Sequence, residues 1–452
     1  MPDMPSNTNG GFSYDSARLK SLASEVLAYA RDKGATAAEV EVSEGRGQNV
    51  TVRHGEVETI EYNRDKGAGV TVYIGHRRGH ASTSDFSSRA LRDAVDAALA
   101  IARFTAMDDC AGLADPDLLA HEFPDLDLWH SWPLSVERAI ELATACEAAG
   151  LDLDKRITNS EGASVSVQES HFVYGNSNGF LAGYPSSRHS YGCSLIAGEG
   201  DGMQRDDWYE MSRAHTDLPP PESVGRRAAE RALRRLDSRQ IATMEAPVLF
   251  ESPVAASLLG HFVSAVSGGS LYRKSSFLLD SLGKTVFPSF VRLSDLPHVL
   301  RGLGSGVFDA EGVATQARDV VKDGVVQGYF LGSYSARKLG LRSTGNAGGN
   351  HNLLMHDTGH DFVALLKQMH RGLLVTELMG QGVNGVTGDY SRGAAGYWVE
   401  NGEIAFPVQE ITIAGNLRDM FMNIAAVGND VLKRSSRQCG SILISRMTIA
   451  GS

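Results

Sequence analysis

The hydrophobic period of this chain changes twice within its first hundred or so residues, and that change limits the fold more than any other feature. From Ser16 to Gly34 the residues Leu19, Leu22, Ala23, Val26, Leu27 and Ala30 recur every three or four positions. This is the stripe of an amphipathic helix, and Gly34 suits the position just past its end. The period then falls to two. Val40/Val42, Val50/Val52, Val57/Ile60 and Val70/Val72/Ile74 lie in short runs separated by His54-Gly55, Lys66-Gly67 and Gly75-His76, which predicts a hairpin meander. Helical spacing returns over Ser87–Thr105 through Leu91, Ala94, Val95, Ala98, Leu99 and Ala102. A helix, antiparallel strands and a second helix in that order predict an α+β layer.

Residues 108–132 are rich in Asp and Pro and read as a connection, followed by a third helix over Leu134–Gly150. Further strands are expected over 157–214. The run Pro219-Pro220-Pro221 then stops a strand and opens a helix over Glu222–Leu236. The domain boundary is placed near residues 236–246. Beyond it the chain is rich in Gly and in short apolar runs. Ala246–Phe250 reads as a strand and Ser252–Ser267 as a helix, and Lys322-Asp323-Gly324 and Glu400-Asn401-Gly402 are hairpin signals because Asp-Gly and Asn-Gly adopt positive φ cheaply. The expectation is a disordered tail (1–15), an N-terminal helix/antiparallel-sheet α+β domain (16–240) and a Gly-rich, mostly antiparallel β domain (241–452) that closes toward a barrel.

The charge, 43 basic against 54 acidic residues for a net of −11, excludes broad phosphate-backbone binding, which needs a clustered basic surface. No run of 18 apolar residues occurs, so no membrane-spanning helix is expected. The opening residues lack the basic and apolar regions of a signal peptide. Cys110, Cys146, Cys193 and Cys439 are widely spaced and form no CxxC pair, which points to a reducing cytoplasm.

Several long blocks resemble the TldD/PmbA family. They are SGGSLYRKSSFLLDSLGK (267–284), YSARKLGLRSTGNAGG (334–349), TELMGQGVNGVTGDYSRGAAGYWVENGEI (376–404), EITIAGNLRDM (410–420), VGNDV (427–431), QCGS (438–441) and RITNSEG (156–162). The similarity runs from about residue 16 to the end, and within the family it is closest to the PmbA (TldE) branch. The resemblance implies a cytoplasmic zinc metalloprotease of two homologous subunits. Its TldD-type subunit holds zinc through the histidines of a His-Glu-x-x-x-His helix and a distant cysteine, with the glutamate as general base.

Carried onto this chain, the first histidine of that motif falls on Gly260, the glutamate on His261 and the second histidine on Ala265. Only the cysteine has a counterpart, Cys439, which also reads as a small buried hydrophobe. Gly and Ala carry no donor atom, and neither HExxH nor HExxxH occurs anywhere in the sequence. No catalytic residue and no bound metal are therefore expected in this chain, with zinc held by the partner. His261, on an apolar helix, reads as a hydrogen-bonded core or interface histidine.

Other constellations are weaker. His351, His356, His360 and His370 crowd one region, with His356 and His360 one helical turn apart in spacing, but Asp357-Thr358-Gly359 between them reads as a turn. Glu251 and Glu311 flank the expected cleft and could do acid–base work with His261, although surface carboxylates are the commoner outcome. The glycine runs at 345–349 and 380–396 match no phosphate-binding loop and read as tight turns.

The resemblance thus implies a non-catalytic subunit that pairs with a TldD-type homologue in a hetero-oligomer, or forms a homodimer without it. The complex would act on unfolded peptides or small proteins, in leader-peptide maturation or antitoxin-type degradation. Such extended substrates bind beside a sheet edge. The alternative is a protein-binding modulator of the DNA gyrase modulator type with no proteolytic role. A third reading is a metallohydrolase built on the 351–370 histidines.

Overall fold

The computed structural model describes residues 11–451. The first half is one antiparallel sheet with helices along one face. α1 (Ser16–Asp32) leads into β1 (Ala37–Arg53), β2 (Glu56–Ile74), β3 (Arg77–Thr83) and α2 (Ser88–Phe104). After the connection come α3 (Val136–Leu151), β4 (Ile157–Asn176), the two-residue β5 (Leu181–Ala182), β6 (Pro185–Ala197), β7 (Gln204–Ser212) and α4 (Pro221–Arg234). The strand order is β3-β2-β1-β4-β6-β7. Side chains alternate along a strand, so even positions of β1 and odd positions of β4 share a face. On that face Val40, Val42 and Val173 pack under α1 and α2, while Val52, Ala163 and Val165 pack under α3 and α4. α1, α2 and α3 begin on side-chain caps: Asp15, Ser87 and Ser135 accept from the backbone N–H three residues on. α4 opens on Pro221 with no such cap.

Lys66-Gly67 is not a turn. β2 runs straight through it, with Gly67 opposite Ser43 and Lys66 opposite Glu44 in an unbroken ladder. The real reversals are at His54-Gly55 and Gly75, where φ is positive. Of the expected tail, residues 1–10 lie outside the described residues, whereas 11–15 are tied down. Phe12 is 4% exposed, and the Ser13 and Tyr14 N–H groups donate to Glu44.

α3 and α4 cross at glycines. A Cβ on Gly225 would lie 1.7 Å from the Cys146 carbonyl oxygen, and one on Gly150 2.7 Å from the Gly225 oxygen. Neither neighbour is a flexible side chain, so the helices must part to admit a methyl. Gly225→Ala is expected to destabilise by about 1–3 kcal/mol despite its better helix propensity. Chemical denaturation checks this, and a stabilised variant would contradict the contact.

The second half contains β8 (Met244–Phe250), α5 (Ser252–Ala265), α6 (Gly268–Tyr272), β9 (Leu293–Leu296), β10 (Arg318–Lys322), β11 (Val325–Val326), α7 (Ser333–Lys338) and β12 (Asn352–Met355). α8 (Phe362–Met369), β13 (Gly372–Met379), β14 (Asp389–Glu400), β15 (Glu403–Asn416), α9 (Leu417–Met422), β16 (Ile424–Val427), β17 (Arg437–Gln438) and β18 (Ile442–Ala450) follow. The hairpins at Asp323-Gly324 and Asn401-Gly402 form with positive φ at all four residues. One sheet has the order β15-β14-β13-β8-β18-β16, and β18 also pairs with β15 through Thr412–Ala414. Five strands therefore close on themselves as a barrel. Two pairings, β8 with β13 and β12 with β17, are parallel, so the sheets are mixed. A smaller sheet, β11-β10-β9-β12-β17, lies alongside.

The connection over 108–132 straps the halves together. Leu119 bridges to Val313, Ala314 donates to the Leu118 carbonyl, and Arg337 and Lys338 pair with Asp115 and Asp108. Among the described residues no helix is long and apolar enough to cross a membrane.

Candidate functional site

α5 carries the positions that the motif comparison singles out. It forms because Pro253 suits a helix start and because Ala255, Leu258, Leu259, Phe262 and Ala265 return at three- and four-residue intervals to the core. Its first turn is tied to the chain's last segment. The Ser252 N–H donates to Ser441 Oγ (3.1 Å), and Ser252 Oγ donates to the Cys439 carbonyl (2.9 Å). Asp430 fixes Ser441 in turn, accepting its N–H at 2.8 Å and its hydroxyl at 2.6 Å. The helix and Cys439 are thus neighbours, as a cysteine-and-helix metal site requires.

The donor set does not fit a catalytic zinc. Gly260 and Ala265 offer no ligand atom, and Ala265 is buried in the core. Cys439 is also fully buried, and burial beside Asp430 pushes its thiol pKa upward, away from the thiolate that binds metals. The space beside Gly260 is taken by a cation: a Cβ there would meet Arg437 Nη1 at 2.3 Å. Among the described residues no group of three His, Cys, Asp or Glu side chains is disposed to hold a metal ion.

His261 points into a basic, polar corner. Its ring meets that of Tyr390 edge-on, with centroids 5.9 Å apart. Burial, then Arg392 and Arg437, hold its pKa below the ordinary 6.5. The neutral ring's contribution to stability is therefore present above pH 6.5 and lost as pH falls through the lowered value. Imidazole nitrogen shifts in an NMR titration are expected to show His261 neutral at pH 7, with a midpoint below 6.5. A midpoint above 6.5 would contradict the placement of the two arginines.

The remaining candidates lie elsewhere. The His356 ring pairs with Ser294 Oγ (2.8 Å), His360 with Thr358 Oγ1 (2.9 Å) and His351 with the Gly345 carbonyl (2.9 Å). His370 ends α8 at a positive φ. Asp357-Thr358-Gly359 is a turn, with φ +79° at Gly359, so His356 and His360 do not share a helix face. Glu251 is the N-cap residue of α5 and binds Arg231 at 3.0 Å. Glu311 accepts the Ser333 N–H at 2.7 Å. The charges acting on His261 are the two arginines, not either carboxylate. Sequence reasoning passed over Tyr390, Arg392 and Arg437. The available signals were the i, i+2 spacing of Tyr390 and Arg392 on a strand and an arginine two residues before Cys439.

The three PmbA/TldA metallopeptidase domains match in order: domain 1 over residues 38–102, the central domain over 129–236 and the C-terminal domain over 243–451. The chain is 55% identical over 414 residues to the metalloprotease PmbA of Escherichia coli O157:H7, covering 92% of each chain. A protein of Bacteroides thetaiotaomicron VPI-5482, solved as a candidate modulator of DNA gyrase, superposes with a TM-score of 0.91 at 29% identity over 96% of this chain and 99% of that one. TldE from Thermococcus kodakarensis shares the fold, with a TM-score of 0.83 at 19% identity over 95% and 100% of the two chains.

Proposed function

Because the chain belongs to the PmbA/TldD metallopeptidase family, we propose that it is the PmbA/TldE-type, non-catalytic subunit of a cytoplasmic zinc metalloprotease complex. The catalytic zinc belongs to a TldD-type partner, and the substrates are unfolded peptides or small proteins. One observation carries this reading: α5 is kept, fully packed and tied to the Cys439 segment, while its ligand positions are Gly260 and Ala265 and Arg437 lies against Gly260. A guanidinium at that point opposes a dication by Coulomb repulsion.

This chain's own part is to offer backbone to an extended substrate. Among the described residues, 56–66 of β2 form ladder pairs with β1 only, since β3 begins pairing at Ala68, and they leave a strand edge free. Such an edge accepts a peptide through main-chain hydrogen bonds with little regard to sequence. For the alternative role as a modulator of another protein, the net charge of −11 opposes direct DNA contact.

Co-expression with a TldD-type subunit, followed by native mass spectrometry, tests the assembly. The expected result is an equimolar complex. Failure of the two chains to associate at micromolar concentration would overturn it.

A further inference from the structure

The corner around His261 contains more hydrogen-bonding capacity than the protein uses. Three buried polar atoms there have no partner: Tyr390 Oη, His261 Nε2 and Arg392 Nε. Tyr390 is only 1% exposed, so solvent does not serve its hydroxyl. Buried polar groups are nearly always paired, and leaving one unpaired is costly. Tyr390 and Arg392 stand two apart on β14 and so project from the same face of that strand. The Arg392 guanidinium makes one long bond, Nη2 to the Leu378 carbonyl at 3.4 Å. Arg437, from β17, reaches the same corner beside Gly260. Among the described residues neither guanidinium forms a salt bridge, although this chain pairs many of its arginines.

We propose that Tyr390, Arg392, Arg437 and His261 form a carboxylate-binding site in the place where the family's catalytic subunits hold zinc. Two guanidinium groups supply the charge and planar donor geometry that a carboxylate accepts. The Tyr390 hydroxyl and a neutral His261 N–H add two further donors. Gly260 is what admits Arg437: any side chain there would displace its guanidinium. The site takes a carboxylate from a peptide, either the chain terminus or an Asp/Glu side chain. The peptide as carrier rests on the proposed function, but the carboxylate chemistry does not.

The test is calorimetric titration of the full chain with three probes: an acetylated tetra-alanine with a free C-terminus, its C-terminal amide, and an amidated peptide of the same length containing one Glu. The free acid is expected to bind at least about tenfold more tightly than the plain amide, as a charge-assisted contact should. Binding of the Glu peptide as well assigns the site to carboxylates in general. Its failure restricts the site to chain termini. Arg437→Gln and Gly260→Ala are expected to weaken binding of the free acid by about tenfold or more. Tyr390→Phe should weaken binding while leaving the melting temperature of the free chain unchanged or higher, a pattern that a merely structural hydroxyl would not give. Equal binding of free acid and amide, or unchanged affinity in Arg437→Gln, overturns the proposal. So does inorganic phosphate that outcompetes the peptide at equal concentration. A chain that binds carboxylates but never associates with a TldD-type subunit would sink the proposed function and leave this site standing.

Discussion

Arg231→Ala is expected to destabilise the folded chain by about 3–5 kcal/mol, the scale for removing one partner of a buried ion pair. Arg231 lies on α4 in the first half, and its side chain is only 10% exposed. Its Nε donates to Asp206 Oδ1 on β7 at 2.9 Å, and its Nη1 donates to both Glu251 oxygens at 3.0 and 3.1 Å. Glu251 is the N-cap residue of α5 in the second half, with no side-chain capping hydrogen bond of its own. Beside them Arg235 binds Glu377 on β13 at 2.5 Å and lies 3.6 Å from Asp206. Without Arg231, two carboxylates stay buried with one fewer cation between them. The loss is chiefly the cost of uncompensated charge, not the net value of the original pairs. Equilibrium denaturation measures it. A loss below about 1 kcal/mol, the range of exposed pairs, would show that solvent reaches the network. Because these bonds cross between the halves, the variant is also expected to broaden the unfolding transition.

The second large effect separates the packing role of α5 from any role of its ligand positions. Phe262→Ala is expected to lose about 3–5 kcal/mol, as large-to-small changes at buried aromatics do. Phe262 is fully buried, with ring centroids 5.3 Å from Phe287 and 6.3 Å from Phe421, and Phe287 stacks on Phe421 at 4.9 Å. Truncation opens a cavity that these rings cannot fill without moving one another. Gly260→Ala, two residues away, is expected to be neutral or stabilising by up to about 1 kcal/mol. The only atoms its methyl meets within 4 Å belong to the flexible side chain of Arg437. Thermal melts of the two variants side by side check the contrast. Comparable destabilisation by both would mean that Arg437 is fixed rigidly against α5.

Much of the architecture was legible in the sequence because local chemistry decided it. The α5 helix follows from apolar spacing after Pro253, and two hairpins follow from Asp323-Gly324 and Asn401-Gly402. Lys66-Gly67 misled because glycine breaks a strand only where the backbone needs its freedom. Here both neighbours pair across β1 and the strand continues. Strand order was not legible. The parallel pairing of β8 with β13 joins segments more than a hundred residues apart, and Thr412–Ala414 meets Thr448–Ala450 only once the barrel is closed. The motif positions Gly260, His261, Ala265 and Cys439 could be named from the chain alone. The arginines that surround them could not, because Arg392 and Arg437 arrive on two other strands. The binding of Glu251 to Arg231 was hidden for the same reason: 20 residues of chain separate partners that sit on opposite sides of the domain boundary.

The central claim is that this chain contributes to proteolysis without holding the zinc. Elemental zinc analysis decides it, performed on the chain purified alone and on its complex with a TldD-type subunit, each assayed for cleavage of an unfolded peptide. The account predicts a metal-free, inactive chain alone and a cleaving complex with about one zinc per pair, since a catalytic site needs three protein ligands and one open position. Stoichiometric zinc and cleavage by the lone chain would contradict it.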